Sequence, residues 1–548
     1  MAVKTHLLEL SDAGFGGEDG LRNASILTAA CQTLTGRRGA ILRFPPGRHV
    51  VEVSGARALF AAALDADISP PDRPVPVPFP AIELRQAADI EIDGGGCTLV
   101  VVGLSSPITI DDCAGVRIHD MAIDLERQPI TSGPILECYE GGCLIAAGDD
   151  LPPRSRVFFS YLWDPDTGQF TNYWAGNGGR SAELTPSGLR IPLQPLSLNG
   201  PAMVTPAVGQ VLVVQHDLYA SGLAAGIHLR NSIDVLLEDI TLHACIFFGI
   251  MARTCHDLTL RRVHALPSSG RLMSVQRDFL HAFGCTGLVT MEGCRVQSIG
   301  DDGFNIDIKL LKIRRMLGTD TLEVTPFVPF GSVDGLPEEL WPGGVLRVRR
   351  VESLHPMASL RICNVERSPE DPIALIVRFM QPLPDDLSID DVLEAADRIP
   401  QARIIDCHFS DLFAHGGRLQ CHGAEIAHCS FTRCFGAAVD LNPTYGGGWA
   451  EGMPCQNVQI HHNRIRDCGR AFLNNEGCGI VVRCENRPLA TANSHRHLKI
   501  TDNDIDGPAG TAAISVSCAT DVLVARNLAG ACQNLLSDAR VEGLVSGE

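Results

Sequence analysis

An eight-residue pattern that keeps returning limits what this chain can fold into more than any other feature. Copies begin at Ile90, Val116, Val235, Leu258, Val289, Ala402, Ala424, Val458, Leu498 and Val522. Each copy alternates apolar and polar residues and closes on a short apolar step, as in Val235-Leu236-Leu237-Glu238-Asp239-Ile240-Thr241-Leu242. Alternation with period two marks strands that bury one face. Several copies lie 22 to 26 residues apart, as from 90 to 116, 235 to 258, 402 to 424 and 498 to 522. Strands repeated at such a period predict a solenoid. The fold expected is all-β, a right-handed parallel β-helix.

The sixth octet position carries Ile240, Val263, Cys294, Cys407, Cys429, Asn463, Asn503 and Asn527 in turn. Stacked coils set equivalent residues about 4.8 Å apart, so like residues can form ladders. Cysteine packs there as a small apolar group, and asparagine amides can bond along the stack. Cys421-His422, His428-Cys429 and Cys434 therefore read as structural residues. They lack the spacing of a zinc site, so no metal and no cofactor are expected.

Two stretches lack the octet. The chain divides into an N-terminal cap with the first coils (1–130), an inserted β domain (131–222), and central coils (223–308). A second inserted β domain (309–398) and C-terminal coils (399–548) follow. Residues Arg22 to Leu34 read as an amphipathic helix that would cover the open N-terminal edge of a pectate-lyase-like solenoid.

A net charge of −19 disfavours nucleic acid and anionic membranes as partners. No apolar run approaches the roughly 18 residues of a membrane-spanning helix. The first residues do not read as a secretory leader, and the 20 cysteines lack the tight spacing of a disulfide framework. A cytoplasmic location is expected, or export if a leader has been removed. Monomer and homo-oligomer both remain open.

The sharpest local motif is Gly300-Asp301-Asp302-Gly303-Phe304-Asn305. Asp278 lies 23 residues before Asp301, about one coil, so the two are expected to be neighbours. Crowded carboxylates drive their pKa values apart and leave one holding a proton. That suits glycosidic bond cleavage, which needs a proton donor and a second carboxylate. Asp111-Asp112, Asp149-Asp150 and Asp390-Asp391 lack this context and read as ordinary surface or turn pairs.

Asp278-Phe279-Leu280-His281, followed at this interval by Gly300-Asp301-Asp302-Gly303-Phe304-Asn305-Ile306, resembles glycoside hydrolase family 110. That family comprises β-helical, inverting exo-α-1,3-galactosidases. The resemblance implies that Asp278, Asp301 and Asp302 are catalytic and that His281 and Asn305 contact a terminal sugar. Trp449-Ala450-Glu451 is similar to the family's Trp-Tyr-Glu segment, and Arg418 sits where a coil-edge arginine is expected, which adds Trp449, Glu451 and Arg418 to the substrate contacts. The chain departs from the family at Asp307-Ile308, where His-Gly is usual. A polygalacturonase-like hydrolase, or a lyase or epimerase on an acidic polysaccharide, is the alternative enzyme reading. Its basic candidates Lys309 and Lys312 fall beyond an insertion boundary. A non-catalytic carbohydrate-binding β-helix is the third reading.

Overall fold

The structure, a computed structural model, describes residues 6–547 apart from 66–79, 148–150, 177–179, 196–204, 219–223, 309, 327–339, 352–354, 372–373, 447–448, 471–478, 485–494 and 533. Among the described residues, 29 strands join in one parallel sheet wound into a β-helix. The octets stack in register. Ile90 pairs with Val116, and the column continues through Val235, Leu258, Val289, Ala402, Ala424, Val458, Leu498 and Val522. Ala40 and His6 precede this column and Leu544 follows it. Third-position residues, Ile118, Leu237, Leu260, Met291, Ile404, Ile426 and Ile460 among them, point inward and are fully buried.

The octet is not one straight strand. Its fifth residue turns a corner in the left-handed region, with φ between 52° and 64° at Asp120, Asp239, Arg262, Gly293, Asp406, His428, His462, Asp502 and Arg526. Aspartate recurs there because a short polar side chain tolerates this conformation better than most. The corner turns the sixth residue into the core.

That inward position forms the expected ladders. The Asn463 amide donates to Asn503 Oδ1 (3.0 Å), and the Asn503 amide donates to Asn527 Oδ1 (2.9 Å). The amides of Asn463, Asn503 and Asn527 also donate to the strand carbonyls of Ile426, Ile460 and Ile500 respectively. Cys294, Cys407 and Cys429 stack before them, all buried. Asn503 Oδ1 also accepts the Asn463 backbone N–H at 3.1 Å. Asn503→Ala would thus strand several buried polar groups, each costing about 1–3 kcal/mol. We expect a loss of roughly 2–4 kcal/mol, measured by urea unfolding.

The helix Gly20–Leu34 is capped by Asp19, whose side chain accepts the Arg22 N–H at 3.2 Å. Leu27, Cys31 and Leu34 on one face join the solenoid's core, as the amphipathic pattern predicts.

Two antiparallel units leave the coil. Strands from Ile130 to His216 form an eight-stranded sheet, and strands from Leu310 to Ala395 close into a barrel. Each has its own apolar core. The first unit packs on the turn that carries the aspartates: Tyr161 Oη donates to the Gly300 carbonyl (3.3 Å) and the Gln215 amide to the Gln276 carbonyl (3.1 Å). The barrel's foot, Leu310 and Val392, packs with Ile308 and Met453 just past the end of the strand Phe304–Asp307. One unit therefore braces the turn that leads into this strand and the other the segment that leaves it.

Candidate active site

Four successive coils build the site. Strands Leu280–Phe283, Phe304–Asp307, Gly417–Leu419 and Val439–Leu441 are stacked in parallel. Their register aligns His281, Asn305, Arg418 and Asp440 in one column. One turn earlier, the backbone bonds Phe279 N–H to Asp302 O (3.0 Å) and Gly303 N–H to His415 O (3.0 Å). These bonds and the strand register set Asp278, Asp302 and His415 above one another.

The expectation that Asp278 sits against Asp301 needs refinement. The coil here is 24 residues long, so Asp302 lies directly over Asp278, and Asp301 lies over Arg277. All three aspartates still converge, each with one carboxylate oxygen within 4.8 Å of the others. The flanking glycines serve close packing. Neither Gly300 nor Gly303 has a positive φ, but a Cβ at Gly303 would collide with the Gly416 carbonyl, and one at Gly300 with Gln215 and the Gln276 carbonyl.

Asp278 Oδ2 is 2.6 Å from His281 Nδ1, and Asp278 Oδ1 accepts the Asp302 N–H at 3.3 Å. Asp302 Oδ1 accepts the His415 N–H at 2.8 Å. Asp302 is buried at 4% exposure, whereas Asp301 is half-buried and so the more reachable of the pair. Burial, and then the charge on Asp278, push the Asp301 carboxyl up to about 7 against the pull of Arg277 and Arg418. Burial, and then Asp301 and Asp278, push Asp302 well above the usual carboxylate range. The adjacent pair therefore holds a proton at neutral pH, the state a general acid requires.

Burial opposes charge on the His281 ring, but hydrogen bonds to Asp278 and Asp307 outweigh it and hold its pKa well above the ordinary value. Glu451 Oε2 accepts from Arg418 Nη1 (3.2 Å) and from the Asn305 amide (3.4 Å). Burial, with Asp307 and Asp278 nearby, raises the Glu451 pKa despite Arg418. Asp278, Asp301, Asp302, His281, Asn305, Arg418 and Glu451 thus come together. Trp449 belongs to the strand Trp449–Glu451, which pairs with Thr444–Gly446, but its side chain lies outside the described residues. Lys309 lies outside them too, and Lys312 is exposed on a barrel strand.

Several neighbours escaped the sequence reading. Asp440 is fully buried. Burial works against its charge, yet Arg483, His415 and Arg418 hold it down at about 2. Asp307, noted only as a departure, is buried beside His281 Nε2 (3.7 Å) with Oδ1 unbonded, and Asn305 Oδ1 is likewise buried and unbonded. These oxygens mark where a ligand's hydroxyl groups could bond. The available signal was a lone charge inside an apolar strand, as in Val439-Asp440-Leu441. Arg277, whose guanidinium lies 3.8 Å from the Phe158 ring, needed the fold to be placed. The aspartate trio, and His281, Asp307 and Glu451, are each compact enough to hold a divalent cation. Protonation of Asp301 and Asp302 is the other way to relieve the same repulsion.

No family model matches the chain. Among curated proteins, alpha-1,3-galactosidase A of Bacteroides fragilis is 25% identical over 495 residues, covering 85% of this chain and 78% of that protein. Alpha-1,3-galactosidase B of Bacteroides thetaiotaomicron is 24% identical over 534 residues, covering 91% and 82%. Solved structures similar to this one include the Yersinia enterocolitica family 28 exopolygalacturonase, with a TM-score of 0.43, 10% identity, and coverage of 100% of this chain and 80% of that one. A mannuronan C-5 epimerase A-module of Azotobacter vinelandii gives a TM-score of 0.43 at 10% identity, covering 98% of both chains. The parallel β-helix, its carboxylate cluster and the curated relatives define the class: a β-helical glycoside hydrolase. Within it, the chain is a distant relative of the alpha-1,3-galactosidases, in keeping with a family 110 type.

Proposed function

We propose that this protein is an exo-acting, inverting α-galactosidase that releases terminal α-1,3-linked galactose. The observation that carries the reading is the convergence of Asp278, Asp301 and Asp302 within 4.8 Å, with Asp301 protonated up to about pH 7. Asp301, the more exposed of the pair, donates its proton to the leaving oxygen as the glycosidic bond breaks. Water adds to the anomeric carbon and passes a proton to a carboxylate of the cluster, with Asp278 the favoured acceptor. Asn305, Arg418 and Glu451 hold the sugar's hydroxyl groups, and His281 keeps Asp278 in place.

One observation favours a second reading of the stereochemistry. Inverting pairs commonly stand about 6.5–9.5 Å apart and retaining pairs about 5–5.5 Å. Oxygens within 4.8 Å are closer to the second range. Inversion thus rests on the resemblance of the aspartate motifs to glycoside hydrolase family 110, and a retaining route through a glycosyl-aspartate is the rival.

A linkage panel tests the substrate. Galactosyl-α-1,3-galactose, its α-1,4 and α-1,6 isomers, a β-galactoside and a digalacturonide are incubated with the protein, and released sugar is measured. Release from the α-1,3 disaccharide at least about tenfold faster than from the others is expected. Cleavage of the digalacturonide alone would replace the proposal with the acidic-polysaccharide reading.

A further inference from the structure

His428, His461 and His462 form a second titratable cluster, on the outer corner of the C-terminal coils and built by none of the strands that carry the aspartates. His428 and His462 are the fifth residues of consecutive octets, so the coil sets one above the other, both at left-handed corners with φ of 56° and 55°. Their rings are stacked at 5.2 Å and tilted by 30°. The His461 ring stands edge-on to both, at 87° to His462 and 88° to His428. His461 Nδ1 lies 2.9 Å from His462 Nδ1, and one ring nitrogen from each of the three lies within 4.8 Å of the others.

Elsewhere this corner column neutralises itself. Arg262 bonds Asp239 through two contacts of 2.7 Å, and Arg526 bonds Asp502 in the same way. At His428 and His462 the column instead stacks two imidazoles. A carboxylate from the neighbouring coil adds an independent sign of ligation. Glu425 Oε1 lies 3.3 Å from His461 Nε2, while its other oxygen accepts from Arg403 at 3.4 Å. A carboxylate beside the far nitrogen favours the tautomer with its proton on Nε2, which turns the Nδ1 lone pair towards the cluster. This is the outer-shell arrangement of metal-bound histidines.

We propose that His428, His461 and His462 form a binding site for one borderline-soft divalent transition metal of the zinc, nickel or copper type. Imidazole suits such ions. Zinc–nitrogen bonds of about 2.0–2.1 Å bring tetrahedral ligands to within about 3.4 Å of each other. His428 and His462 are exposed and His461 half-buried, so small ring rotations close the remaining gap. Three protein nitrogens leave a fourth position for water. The bound ion ties one coil to the next across the corner.

The test is titration of the tag-free full-length protein with Zn²⁺ against a chromophoric chelator. The variants are His428→Asn, His462→Asn and His461→Ala, since asparagine tolerates the left-handed corner. His497→Asn serves as a histidine control outside the cluster. Glu451→Gln tests whether the ion sits instead at the His281, Asp307 and Glu451 group. One equivalent of zinc, weakened at least tenfold by each cluster substitution and unchanged in both other variants, is expected. No stoichiometric binding by the wild type, or binding that survives the cluster substitutions, overturns the proposal.

Discussion

Asp302→Asn is expected to lower kcat/KM for p-nitrophenyl α-galactoside by about 10³-fold, because Asp302 shares with Asp301 the proton that the acid step delivers, and a lost acid–base group costs about 10²–10⁴-fold. The substitution preserves shape. An asparagine Oδ1 can still accept the His415 N–H that Asp302 accepts at 2.8 Å. Circular dichroism and Tm should therefore remain those of a folded β-helix, and the loss should fall on kcat. Asp390→Asn, at an exposed position on the second inserted unit beside the buried Asp391, should change activity by less than about twofold. A variant at Asp302 that kept a tenth of wild-type activity would remove the aspartate pair from the mechanism.

The second large effect is on pH. Asp301 must be protonated to act as the acid, and burial with the Asp278 charge sets its pKa at about 7. Activity should therefore hold below neutrality and fall about tenfold per pH unit above it, roughly a hundredfold by pH 9. Stability should respond in the same direction. The folded pKa is raised above the ordinary unfolded value of about 3.9. The contribution of this carboxyl is therefore intact below about pH 4 and is lost as pH rises through about 7. Asp301→Asn should raise Tm relative to wild type at pH 8 and change it little at pH 4, while abolishing most activity at both. A Tm difference that grew towards acid pH would contradict the assignment. The stability–activity opposition is what a strained catalytic carboxyl predicts.

The sequence carried the solenoid well because its signal is local. Each octet states its own alternation, and the sixth-position ladder at Asn463, Asn503 and Asn527 is readable without any structure. The corner inside the octet was less visible, since Arg262 and His428 adopt the left-handed region that Asp239 and Asp406 would suggest. The aspartates were legible because Asp278 and Asp301-Asp302 fall in consecutive coils with nothing inserted between them. Beyond Asp307 the barrel interrupts the count, and the register that brings His415 and Asp440 over the site cannot be followed through it. The contacts of Tyr161, Gln215 and Phe158 come from the first inserted unit, more than a hundred positions away from Asp278 in two of the three cases. No period links them to the coil. Sequence therefore located the carboxylate cluster but not the buried charges that surround it.

The most direct measurement is proton NMR of galactose freshly released from the α-1,3 disaccharide by wild type, with Asp302→Asn beside it. The account predicts β-galactose as the first anomer seen, followed by slow mutarotation, and no product from the variant within the same time. α-Galactose as the first product would show retention and contradict the inverting mechanism. Equal release by both proteins would contradict the aspartate site itself.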